Sequence, residues 1–91
     1  MRLQGLKCVV TGGASGIGAA TARRFAGEGA EVCILDRDLP AAQALAVELG
    51  QDHFAVELDV RLEPAVEQAA GEVYTRWGHI DVLVNNAGSE L

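Results

Sequence analysis

The sequence predicts an α/β domain, a doubly wound parallel β-sheet with helices on both faces. Two observations carry this. Four short runs are near-continuous in Val, Ile and Leu, as strands covered on both faces are. Between them lie three stretches whose apolar residues recur at helical spacing, so that each helix crosses over to a parallel strand in the right-handed sense.

The first run is LKCVVTG (Leu6–Gly12), ended by glycine. A helical pattern follows from about Gly16 to Glu28, with Ile17, Thr21, Phe25 and Ala26 on one stripe. The second run is AEVCILD (Ala30–Asp36). Asp38 then suits the N-cap of a second helix, with Leu39 and Pro40 in its first turn. Ala41, Ala44, Leu45 and Leu49 make its apolar face, and Gly50 suits the position just past its end. The third run is HFAVELDV (His53–Val60). A third helix opens near Arg61–Pro64. Val66, Ala69, Ala70, Val73 and Trp77 form its stripe, Trp77 reads as a core anchor, and Gly78 ends it. The fourth run is IDVLVNNAG (Ile80–Gly88). The order is βαβαβαβ, with residues 1–91 forming one domain.

Composition narrows the function. At 49% hydrophobic the composition fits a globular core and argues against disorder. Its net charge is -6, and its seven Lys and Arg are scattered without a basic patch, which argues against nucleic-acid binding. No apolar run approaches the ~20 residues of a membrane span. The opening MRLQGLKCVV lacks a signal-peptide layout, so the expected location is cytoplasmic. Cys8 and Cys33 sit inside apolar runs and read as small buried hydrophobes, with no partners at metal-ligand spacing.

The segment TGGASGIG (Thr11–Gly18) follows a strand directly and opens a helix directly. Taken alone, it also suits an ordinary strand-to-helix turn. In this context Gly12 permits the tight turn, Gly16 lets a ligand approach the backbone, and Gly18 lets the helix pack closely. The helix start offers unpaired N–H groups and the positive end of its dipole to a pyrophosphate, and Ser15 adds a hydroxyl. Asp36 ends the second strand eighteen residues after Gly18. A carboxylate there accepts hydrogen bonds from the adenosine ribose and repels a 2′-phosphate, favouring NAD over NADP. The neighbouring Arg37 can accommodate a 2′-phosphate, which keeps NADP open. The pattern is Rossmann-like, with an expected strand order of 3-2-1-4.

With these motifs in hand, the chain resembles the short-chain dehydrogenase/reductase family along its whole length. TGGASGIG resembles that family's Thr-Gly-x-x-x-Gly-x-Gly cofactor loop, LDV (Leu58–Val60) its adenine-contacting acidic site, and NNAG (Asn85–Gly88) the motif ending the fourth strand. The resemblance implies that Gly12, Ser15, Gly16, Ile17 and Gly18 line the pyrophosphate and that Asp36, with Arg37, holds the ribose. It further implies that Asp59 and Val60 meet the adenine, and that Asn86, Ala87 and Gly88 pass along the inner ribose. Asn85 would tie the sheet together. NNAG also reads as a polar strand end that orders the neighbouring loop.

The family's chemistry uses a Ser, a Tyr general acid/base and a Lys four residues after the Tyr, whose charge lowers the Tyr pKa. Here the one Tyr is Tyr74, followed four residues later by Gly78, and the one Lys is Lys7. The two serines are Ser15, in the loop, and Ser89. No catalytic residue is therefore assigned. Three readings follow: a shortened cofactor-binding portion of an alcohol/ketone oxidoreductase, an inert NAD-binding module, or a fragment that self-associates. The fourth strand, DVLVNN (Asp81–Asn86), would lie at a sheet edge with unpaired N–H and C=O groups, and a homo-oligomer through that edge is expected.

Overall fold

The computed structural model describes residues 2–59 and 63–86. Seven elements alternate: β1 (Lys7–Thr11), α1 (Gly16–Gly27), β2 (Glu31–Asp36), α2 (Leu39–Leu49), β3 (Phe54–Glu57), α3 (Glu63–Trp77) and β4 (Val82–Asn85). They build one sheet in the order β3-β2-β1-β4, and all three pairings are parallel. Fold class and strand order are as the sequence predicts. The strands are shorter than the apolar runs. Hydrophobicity outlasts ladder pairing, so Leu58 follows β3 and Ile80 precedes β4, while His53 stands just before β3.

Side-chain alternation sends alternate residues of each strand to opposite faces. Cys8, Val10, Val32 and Ile34 meet Ala19 and Ala22 of α1 and Ala42, Leu45 and Ala46 of α2. Val9, Cys33, Leu35, Phe54 and Val56 meet Ala69 and Val73 of α3. The layers are therefore α1 and α2, the sheet, and α3.

Helix α1 departs from the expected stripe. Ile17 is 77% exposed, while Gly18, Ala19 and Ala22 are buried and Phe25 and Ala26 are half-buried. The small residues win the inward face because α1 lies so close to the sheet that larger side chains would not fit. On α2 the buried residues are Ala42, Leu45 and Ala46, and Ala44 points outward. The Asp38 side chain caps α2 as expected, its Oδ1 accepting the Ala41 N–H at 3.1 Å. On α3, Ala69 and Val73 are buried, but Val66 and Ala70 are exposed. Trp77 anchors the end of α3 edge-on to Phe54, with ring centroids 5.0 Å apart. The Arg76 guanidinium lies 4.3 Å over the Phe54 ring, and Lys7, ion-paired with Glu31, stands over Trp77.

β4 is fastened at its start by a reciprocal pair. The Lys7 N–H donates to Asp81 Oδ2 at 2.8 Å, and the Asp81 N–H donates to the Lys7 carbonyl at 2.8 Å. The Lys7 bond holds the Asp81 carboxyl below its ordinary pKa. Cys8 and Cys33 are free and buried on opposite faces, and burial pushes the Cys33 thiol up to about 12. No helix among the described residues is long and apolar enough to cross a membrane.

Ile34 is the largest fully buried side chain. Ile34→Ala removes three methyl(ene) groups at the centre of the sheet and should cost about 2–5 kcal/mol. Urea unfolding should show a lower midpoint with an unchanged slope.

Candidate functional site

Because all four strands run the same way, their C-terminal ends share one edge of the sheet. In open α/β sheets this is where ligands bind. Thr11, Asp36, Leu58–Asp59 and Asn85–Asn86 all arrive there, and the loop 12–15 leads from β1 into α1.

The loop turns at Gly12 and Gly16, whose φ angles of 64° and 57° lie in the left-handed region that favours glycine. The Gly12 N–H donates to the Leu35 carbonyl at 2.7 Å, holding the turn against β2. A Cβ on Gly13 would stand 2.9 Å from Ile34 Cγ2 and 3.0 Å from the Val10 carbonyl. A Cβ on Gly18 would stand 2.1 Å from the Gly12 carbonyl oxygen and 2.9 Å from Asn86 Nδ2. Only a residue without a side chain lets α1 begin this close to the strand end. A Cβ on Gly16, by contrast, would meet nothing within 4 Å, so the backbone there is open to a ligand.

Ser15 is the N-cap of α1, extended at φ -147° and exposed, and its hydroxyl makes no cap bond. The first turn carries no acidic residue. The first turn itself therefore supplies no carboxylate to the N–H groups and the positive dipole end at this terminus. Ile17 points outward from the same turn.

Asp36 is half-buried at the end of β2. Its Oδ2 accepts the Ala14 N–H at 3.0 Å, and its Oδ1 accepts the Asp38 N–H at 3.0 Å. One carboxylate thus ties the glycine loop to the start of α2. Arg37 is exposed beside it. Asp59 lines a groove of about 460 Å³ together with Leu39 and Gln43 of α2, Glu57 of β3, and Gln68 and Glu72 of α3.

Thr11 joins β4 to the loop. Its hydroxyl lies 3.1 Å from Asn85 Oδ1 and 3.3 Å from the Val84 carbonyl, and it accepts the Asn86 N–H at 2.9 Å. Asn86 Nδ2 donates to the Gly12 carbonyl at 3.2 Å. Both asparagines are therefore ties within the protein, a role the sequence reading gave to Asn85 and left open for the motif as a whole. Thr11, Gly13 and the Ala14 N–H hold structural places at this edge that the glycine motif alone does not mark. Thr11 carried a signal, being the polar residue that follows the apolar run Cys8–Val10 of its strand. Gly12, Ser15, Gly16, Ile17, Gly18, Asp36, Arg37, Asp59 and Asn86 all lie along this edge. Val60, Ala87 and Gly88 lie outside the described residues.

The chain matches the family model for short chain dehydrogenase over residues 7–91. It is 46% identical over 87 residues to sorbitol dehydrogenase of Cereibacter sphaeroides, covering 96% of this chain and 34% of that protein. It is 44% identical over 90 residues to D-threitol dehydrogenase of Mycolicibacterium smegmatis, covering 96% and 35%. Among solved structures, 3-ketoacyl-(acyl-carrier-protein) reductase from Brucella melitensis, complexed with NADH, superposes with a TM-score of 0.86 at 38% identity. That match covers 89% of this chain and 33% of that one. The chain spans about a third of the length of the relatives it matches.

Gly18→Ala places a methyl group inside the Gly12 carbonyl. Overpacking of this kind costs about 1–3 kcal/mol, and a clash this close against a backbone oxygen should fall at the upper end, above the gain in helix propensity of about 1 kcal/mol. Denaturant unfolding against the unaltered chain measures the difference, and an equally stable variant would show that the approach is not tight.

Proposed function

This chain belongs to the short-chain dehydrogenase family of oxidoreductases and carries its Rossmann-type nucleotide-binding region, and on that premise we propose that NAD is the dinucleotide it holds. The observation that carries the proposal is the bare start of α1 beside an ordered carboxylate. The N–H groups at Gly16–Gly18 and the Ser15 hydroxyl meet the pyrophosphate. Ile17 shields it on the outer side, and Gly12 leaves room beneath it. Asp36, fixed by two backbone N–H groups, accepts from the adenosine ribose hydroxyls, and its charge disfavours a 2′-phosphate. Arg37 flanks that ribose and lessens the discrimination. Asp59 and Val60 receive the adenine at the groove, and Asn86, Ala87 and Gly88 pass along the inner ribose.

A bound nicotinamide supplies or accepts a hydride, and in the whole protein the reaction is proposed to interconvert an alcohol and a ketone. The residues here bind and orient. Lys7 starts β1, at the end of the sheet away from the loop, and is engaged by Glu31. Tyr74 is exposed on α3. Neither stands at the binding edge, so the general acid/base is assigned to none of the described residues. A cytoplasmic location is proposed with this reading.

Isothermal titration of the 91-residue chain should show NAD binding more tightly than NADP, with Asp36→Ala narrowing the gap. NADP as the tighter ligand of the unaltered chain would overturn the role given to Asp36.

One observation favours self-association of this polypeptide. β4 is an edge strand, and Leu83, opposite Val9 in the register, is 62% exposed on the α3 side. Open edges template pairing. Two copies joined about a two-fold axis would pair β4 with β4 antiparallel and bring the two Leu83 side chains together. Light scattering at micromolar concentration should give a dimer mass, and Leu83→Lys should give a monomer. A monomer mass for the unaltered chain would remove this reading.

A further inference from the structure

β2 and β3 pair from Cys33 with Phe54 to Asp36 with Glu57. The Leu58 N–H donates to the Asp36 carbonyl at 3.0 Å. Backbone groups alternate between the two sides of a strand, so Asp36, Ile34 and Val32 all present theirs to β3. Had β3 begun earlier, the acceptor for the Val32 N–H would be a carbonyl two residues before Phe54. The chain turns at residues 51–52 instead, with the His53 N–H directed to the Gly50 carbonyl at 3.4 Å. A side chain takes the vacant place: His53 Nδ1 accepts the Val32 N–H at 3.0 Å.

From this geometry we propose that His53 is a pH-sensitive end rung of the sheet, latching the start of edge strand β3 to β2 when neutral and releasing it when protonated. The proton takes the same lone pair that the Val32 N–H uses. An imidazolium has two donors and no acceptor, so the bond cannot survive protonation. The charged groups that face the ring are Asp52 in the preceding turn and Glu31 on β2. Glu31 is engaged by Lys7 of β1, and the end of α2 at Leu49–Gly50 contributes no charge. Both carboxylates favour the imidazolium, but burial of the half-exposed ring outweighs them and holds its pKa below 6.5. The unfolded chain therefore takes the proton first. The stability from this rung is complete above 6.5 and falls as pH drops through that value towards the lower folded pKa. β3 has only four residues and leads directly into Leu58 and Asp59, so release at its start loosens the floor of the groove. The latch is a property of the sheet and holds whichever dinucleotide, if any, binds there.

Amide exchange of the 91-residue chain, followed by NMR, tests this. Exchange at Val32 is taken relative to Val9, in the centre of the sheet, which cancels the intrinsic effect of pH. Between about pH 8 and about pH 5 that ratio should rise severalfold, because the opened state takes the proton more readily than the latched one. In His53→Asn the side-chain Oδ1 replaces Nδ1 as acceptor and does not titrate, so the ratio should stay flat. In His53→Phe protection should be low at both ends of the range. A ratio that does not change in the unaltered chain, or that changes equally in His53→Asn, overturns the latch. The Asn variant decides the matter even if the Phe variant does not fold.

Discussion

The contact between the bare Cα of Gly18 and the carbonyl of Gly12 sets the geometry of the whole binding edge. It allows α1 to start within touching distance of the β1 strand end. The same carbonyl accepts from Asn86, so the end of β4 is indexed to the loop through one oxygen atom. The small residues Ala19 and Ala22 follow from this, because a helix held so near the sheet has no room for larger ones beneath it. Ile17 and Ser15, displaced outward, become available to a ligand.

Asp36 plays the corresponding part on the other side of the loop. A carboxylate at a strand end would ordinarily be a solvated and mobile acid. Here two backbone N–H groups, from Ala14 and Asp38, fix its orientation. The residue that would select the ribose is thereby also the residue that joins the glycine loop to α2, whose first turn is capped in sequence by Asp38. Local order on both sides of the loop depends on one side chain.

Much of this was legible beforehand. Four apolar runs and three helical stripes specify the alternation, and the spacing from Gly18 to Asp36 specifies the edge at which they meet. Other features were less so. Periodicity places Ile17 on a buried stripe because it registers hydrophobicity alone, whereas the inward face of α1 is chosen by size. Ala44 and Val66 fall on apolar stripes for the same reason and lie outside. The strand ends extend past the ladder in sequence because apolar residues such as Leu58 and Ile80 stay covered after pairing stops. Thr11 stands out as a polar strand end, but its partners were out of reach, since its hydroxyl meets residues more than seventy positions away. His53 offered no pattern at all. A lone histidine before a strand does not disclose which backbone group it faces.

The two cysteines have a practical consequence. Cys8 lies in the layer under α1 and α2, and Cys33 lies in the layer under α3. Each is sealed from solvent, and burial raises both thiols above their ordinary pKa, so neither is a nucleophile in the closed protein. Alkylating reagents can then reach a thiol only when the layer above it lifts. The chain thus has a built-in chemical clock for each side of the sheet. Mass spectrometry of timed maleimide labelling would read the opening of the two layers separately, without any added probe.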